Sequence, residues 1–249
     1  MTARATTPTA PPTVGPGALP PVTEGGATIR VRITDLQGRL NLNALAGDES
    51  RRERTTAILE RLITAADPEA DAAGVTAAAV DWIDDDLQPA FPGGAEDDYY
   101  TRREPPYRSA NAPMAEVSEL RLVRGVTDEV MEGLSGYITA LPPEASGINL
   151  NTAPPGLLER LHPGVSADDI RALTAARDEE PLTSVDEALR LAPTLAQPEI
   201  PRGWYRVDSE YFRVTAIVTL DRIEQRWQSI LQRPPTGAIP VLARRPVLP

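Results

Sequence analysis

Residues 211–231 read YFRVTAIVTLDRIEQRWQSIL, and this stretch decides the fold. Phe212, Val214, Ala216, Val218 and Leu220 alternate with polar neighbours, so they share one face of a strand. A turn near Asp221–Arg222 leads into a second alternating run that places Ile223, Trp227 and Leu231 on one side, giving an antiparallel hairpin. Far upstream, residues 27–36 (ATIRVRITDL) alternate in the same way, with Ile29, Val31 and Ile33 opposed to Arg30, Arg32 and Thr34. A lone strand is unstable in water and a lone hairpin is marginal. The upstream strand is therefore expected to join the hairpin, which makes the sheet domain discontinuous, built from residues 24–47 and 203–233.

Residues 48–202, between those strands, read as helical. Residues 50–66 carry Ile58, Leu59, Leu62 and Ile63 at helical spacing and stop before Asp67-Pro68. An Ala-rich helix over 75–83 follows, then a short one over 118–123 ending at Gly125, and one capped by Thr127 or Asp128 and running to Leu134. Pro154 and Pro155 suit a helix start, and Ser166 with Asp169, like Ser184 with Glu187, has capping-box spacing. The fold class is α+β, an antiparallel sheet domain interrupted by a large all-α insertion. Residues 1–23, rich in Pro, Ala and Thr, read as a disordered leader, and residues 234–249 as a C-terminal tail. One phrase occurs twice, Leu40-Asn41-Leu42-Asn43 and Ile148-Asn149-Leu150-Asn151. Asparagine fixes chain reversals through its own side chain, so these read first as structural joints and second as a polar contact surface.

Composition removes much chemistry. The 249 residues carry 36 acids against 25 basic side chains, all arginine, for a net charge of −11. That balance disfavours a phosphate-backbone binder, and the lack of lysine removes Schiff-base and Walker-type chemistry. With no Cys and one His, four-ligand zinc, iron–sulfur and thiol chemistry go too. No apolar run approaches the ~18–20 residues of a membrane span.

The densest chemistry is loop 81–98, DWIDDDLQPAFPGGAEDD, with seven carboxylates in 18 residues. Such crowding calls for solvation, protonation or a cation. Oxygen donors on a flexible loop suit calcium better than magnesium. The loop is no EF-hand: with Asp84 at position 1, Gln88 falls at 5, Pro89 at 6 and Ala95 at 12. The expected ligands are Asp84 and Asp86 at the near end and Glu96, Asp97 and Asp98 at the far end. Asp81 lies on the same helical side as Asp84, and Asn111 is a lesser candidate. The competing readings are plain solvated acidity, a glycosidase carboxylate pair, which lacks aromatics to stack a sugar, and a triad on His162, whose Leu161–Pro163 setting suits a turn.

Residues 147–192 resemble helix-hairpin-helix (SAM-like) modules of the DNA-uptake type, although the hairpin Leu161-His162-Pro163-Gly164-Val165-Ser166 has one residue too many, Ser in place of the second Gly, and Asp168 and Asp169 after it. The ordered series ITDLQGRLNLNAL, VDWIDDDLQPAFPGGAEDDYY, YRSANAPMAEVSELRLVRGVT, ITALPPEASGINLNTAP and SEYFRVTAIV is more specific. Over residues 25–233 the chain resembles the protein K family of general secretion, the large minor pseudopilins of type II secretion. The resemblance implies a pseudopilin-type sheet domain with a helical insertion, a calcium-binding acidic loop and no catalysis. It also implies a place at the pseudopilus tip, initiating or capping assembly beside I-type and J-type minor pseudopilins, with secreted proteins as further candidate partners. Family members begin with a cleavable leader and an apolar helix, where this chain has its Pro/Thr-rich segment. An inner-membrane location with a periplasmic domain is thus inherited from the family, and any membrane link is expected only through such a helix. A helix-hairpin-helix nucleic-acid binder is the alternative.

Overall fold

The computed structural model describes residues 17–145, 147–197, 200–234 and 236–247. In chain order, strands β1 (Gly17–Ala18), β2 (Val22–Glu24), β3 (Ala27–Asp35) and β4 (Leu40–Asn41) precede helices α1 (Glu49–Ala66), α2 (Ala72–Ile83), α3 (Asp97–Tyr100) and α4 (Asp128–Leu134). Strands β5 (Ile138–Thr139) and β6 (Ile148–Asn149) lead to helices α5 (Pro155–Leu158), α6 (Ala167–Glu179) and α7 (Val185–Leu191). Strands β7 (Tyr205–Arg206), β8 (Tyr211–Leu220), β9 (Ile223–Gln232) and β10 (Val241–Val247) close the chain. Two compact units result, one of residues 1–35 with 212–249 and one of residues 36–211.

The first unit is an antiparallel sheet in the order β1-β3-β8-β9-β10, with β2 also paired to β3. The pairing of the upstream strand with the hairpin is as the alternation requires: Ile29, Val31 and Ile33 stand opposite Val218, Ala216 and Val214 on one face. Arg30 and Arg32 stand opposite Ile217 and Thr215 on the other. The β2–β3 turn uses Gly25 and Gly26 at φ 57° and 82°, the left-handed pair that a two-residue hairpin of this twist demands. Three sequence boundaries move. Residues 17–18 and 22–23 of the expected leader lie in strands, while residues 1–16 lie outside the described chain. Val241–Val247 of the expected tail is a strand against β9. Its VLARRPV sequence hides the alternation, and Pro246 is tolerated because β10 is an edge. Residues 36–47 and 203–211, assigned above to the sheet, belong to the helical unit.

The second unit is built around α1, whose Ile58, Leu59, Leu62 and Ile63 pack with Leu42, Val75, Trp82, Val130 and Leu134 in one continuous core. Capping residues set the helix starts, with Asp48, Asp71, Thr127 and Ser184 each accepting a backbone N–H from the first turn of its helix. Ser166 caps α6 in the same way, but Asp169 does not complete a capping box; its carboxylate accepts the Thr194 N–H and hydroxyl instead. The unit is not all-α: β4 pairs with β5, and β6 with β7, each as a two-residue parallel ladder too short to leave a periodic signal.

Those ladders belong to the repeated asparagine phrases, which are structural joints. In each, the first Asn side chain accepts the N–H of the second, Asn41 from Asn43 at 3.2 Å and Asn149 from Asn151 at 3.0 Å. The second then clamps one remote residue through both its N–H and its carbonyl. Asn43 accepts the Met114 N–H at 2.7 Å and donates to the Met114 carbonyl at 2.9 Å, as Asn151 does with Leu182 at 2.8 and 2.9 Å. Each donates a second bond, to Leu141 or to Val207. Asn43→Ala strands several buried backbone groups at ~1–3 kcal/mol apiece, so the folded state is expected to lose about 3 kcal/mol. Denaturant unfolding reads this directly; a loss under about 1 kcal/mol means the joint is not structural.

Candidate metal centre

The acidic loop is shaped by α2. Asp81 is fully buried at its last turn, and its carboxylate accepts the Ala90 N–H at 3.0 Å, turning the chain back over the helix end. Gly94 is required there, since a Cβ on it would lie 2.2 Å from Asp81 Oδ2 and 2.5 Å from the Ala90 nitrogen. Asp81 is therefore the group that folds the loop. Burial raises its pKa above the usual carboxylate range.

This fold-back brings Asp84, Asp86 and Glu96 together, with one carboxylate oxygen of each within 4.8 Å of the others. Asp84 ends α2, and Glu96 sits at the entry to α3 with only 4% of its surface exposed. Asp97 and Asp98 do not join them. Asp97 accepts the Ser109 N–H at 3.1 Å and lies 3.7 Å from Arg108, while Asp98 points outward to Arg102. The helical turn of α3 explains the split, because consecutive residues there diverge by about 100°.

Three oxygens at this end of the loop are buried with no hydrogen-bond partner: Asp84 Oδ1, Glu96 Oε1 and Asn111 Oδ1. Asn111, the lesser candidate of the sequence, does reach the loop, donating its Nδ2–H to the Asp86 carbonyl at 3.2 Å from a left-handed backbone, φ 44°. Buried orphan oxygens in an anionic cluster cost free energy unless a cation completes them. The donors are all hard oxygen, the set that suits a calcium-like ion rather than zinc or copper. The loop's base is rigid. Trp82 and Tyr100 meet edge to face at 5.2 Å, Tyr107 packs on Tyr100 at 5.3 Å, and Arg124 binds the Gly93 and Gly94 carbonyls at 3.2 Å from above the Tyr99 ring.

Crowding shows in the acidities. Burial, reinforced by Asp86 and Asp81, pushes Asp84 up to about 6, and burial with Asp81 pushes Glu96 up to about 7. In the unfolded chain both titrate near 4. Their contribution to stability is thus present below about pH 4 and is lost as pH rises to about 7. In cation-free protein, Glu96→Gln is expected to gain thermal stability over the parent steadily from pH 4 to pH 8, tracked by calorimetry. A difference that does not change with pH refutes the assigned crowding.

The other candidates dissolve. His162 is a turn residue whose Nδ1 accepts the Gly164 N–H at 3.0 Å. In the hairpin between α5 and α6, the N–H groups of Gly164, Val165 and Ser166 are spent on His162 and Thr194, leaving none for a phosphate. Asp168 pairs with Arg171 on the same surface, so the nucleic-acid alternative is not favoured. Among the described residues no helix is long and apolar enough to cross a membrane.

A paired family model described as type II secretion system (T2SS), protein K, matches residues 38–143 and 148–207. The chain is thereby a component of the type II secretion class. It belongs to the protein K family. The type II secretion system protein K of Klebsiella pneumoniae is 36% identical over 216 residues, 82% of this chain and 66% of that protein. The Pseudomonas aeruginosa protein K is 32% identical over 89% of this chain and 66% of its own length. The chain thus spans just under two thirds of these relatives, and 72% of the Aeromonas hydrophila protein K, to which it is 31% identical. The crystal structure of the GspK-GspI-GspJ complex from enterotoxigenic Escherichia coli contains a chain that superposes with a TM-score of 0.72 at 26% identity. The match covers 95% of this chain and 84% of that one.

Proposed function

We propose that this chain is the periplasmic portion of a minor pseudopilin that occupies the tip of the type II secretion pseudopilus, with I-type and J-type minor pseudopilins as its partners. The observation that carries the reading is the likeness over 95% of the chain to a protein solved together with GspI and GspJ. The role is structural rather than catalytic. A repeating filament subunit has room for a like neighbour at each end. The helical unit of residues 36–211 adds bulk that such a subunit lacks, so the protein starts or caps assembly by steric exclusion. Attachment to the inner membrane is assigned to an N-terminal apolar helix of the kind the family carries.

The metal centre is proposed to hold calcium through Asp84, Asp86, Glu96 and Asn111. The ion supplies charge neutralisation and cross-links the two ends of the loop. Calcium at about 100 times its dissociation constant stabilises a folded state by about 2.7 kcal/mol, so the thermal midpoint is expected to rise by several degrees. Asp84→Ala with Glu96→Ala removes the rise. Equal shifts in parent and double variant put calcium elsewhere.

Mixed with soluble I-type and J-type domains, the chain is expected to co-elute at the summed mass of one copy of each in size-exclusion chromatography with light scattering. Separate elution at micromolar concentration, with calcium present, refutes the tip assignment.

A further inference from the structure

The acidic charge of the chain is unevenly divided. Residues 36–211 hold 32 carboxylates against 16 arginines, whereas residues 1–35 and 212–249 hold four against nine, so the sheet unit is positive by five. Three of its arginines meet on the polar face of the sheet. Arg30 and Arg32 come from β3 and Arg226 from β9, and together with Thr215, Gln228 and Leu19 they line an open groove of about 470 Å³. A single carboxylate serves two of them, and none among the described residues pairs with the third. Arg30 lies 3.8 Å and Arg226 3.3 Å from Glu224, and Arg32 makes no ion pair among the described residues. Both shared pairs are about half exposed to solvent, where such contacts are weak.

We propose that this groove is a docking site for an acidic segment of a partner protein. Guanidinium groups bind carboxylates through paired hydrogen bonds, and Thr215 and Gln228 add neutral donors to the lining. A single anion leaves most of the groove unfilled, whereas an extended segment with two or more acidic side chains and an apolar one reaches both the arginines and Leu19, which is 49% exposed. The groove is recessed in a sheet face rather than carried on a protruding tip, and Glu224 stands between two of the arginines, features that suit a shaped peptide better than a planar lipid surface. The site is separate from the metal centre, which belongs to the other unit.

The test is fluorescence anisotropy of the full chain with a labelled ten-residue peptide alternating Glu and Leu, and with its Gln counterpart. The Glu peptide is expected to bind and to weaken as salt rises from about 0.05 to about 0.3 M, the Gln peptide to bind at least tenfold more weakly. Arg32→Gln, at a residue with no ion pair to lose, is expected to weaken binding about threefold, and the combination with Arg30→Gln and Arg226→Gln at least about tenfold. No binding of the Glu peptide, equal binding of the Gln peptide, or undiminished binding by Arg32→Gln overturns the proposal. So does binding confined to phosphatidylglycerol vesicles or to a second copy of the chain. The assay contains no pseudopilin partner, so its result is independent of the co-elution experiment.

Discussion

Four asparagine carboxamides, of Asn41, Asn43, Asn149 and Asn151, close the two chain reversals on which the helical unit is built. Each pair does two jobs. The first residue bends its own backbone, and the second substitutes for a peptide group by giving and taking one hydrogen bond with a single distant residue. Because these carboxamides are largely buried, their bonds are made at low local dielectric, and any arrangement that leaves them unmade is costly. The ends of β5 and β7, the Met114 segment and the approach to α7 are thereby held to two short phrases of sequence.

The acidic loop depends on that frame. The Met114 segment clamped by Asn43 continues back to Asn111 and Ser109, which hydrogen-bond Asp86 and Asp97 of the acidic loop. Asp81 turns the loop, Arg124 and the aromatic cluster brace it, and the carboxylates of Asp84, Asp86 and Glu96 are forced to share one small volume. Like charges at such separation are tolerated when protons or a cation neutralise them. Raised acidities and orphan oxygens are two expressions of the same constraint.

The two units carry opposite charge, and their surfaces suit different tasks. The helical unit spends its acidity on helix caps, on the loop of residues 81–98 and on exposed faces, while the sheet concentrates arginine on its polar face.

The α+β class, the joining of distant strands into one sheet and the helical character of the insertion were all legible in the amino-acid order. They rest on period-two alternation and on capping residues, signals that are local and repeat along the chain. The family was legible because several independent phrases occur in order. Tertiary structure alone separated Asp84, Asp86 and Glu96 from Asp97 and Asp98, since one turn of α3 decides which neighbouring carboxylate faces inward. It alone set the Asn111 carboxamide, a lesser candidate in the sequence, on the Asp86 carbonyl, made Asp81 a loop-former, and revealed β10 and the two-residue parallel ladders. The ladders and the Asn111 contact join residues far apart in the chain, and the loop and α3 depend on which way individual side chains face, so neither leaves a periodic mark on the sequence.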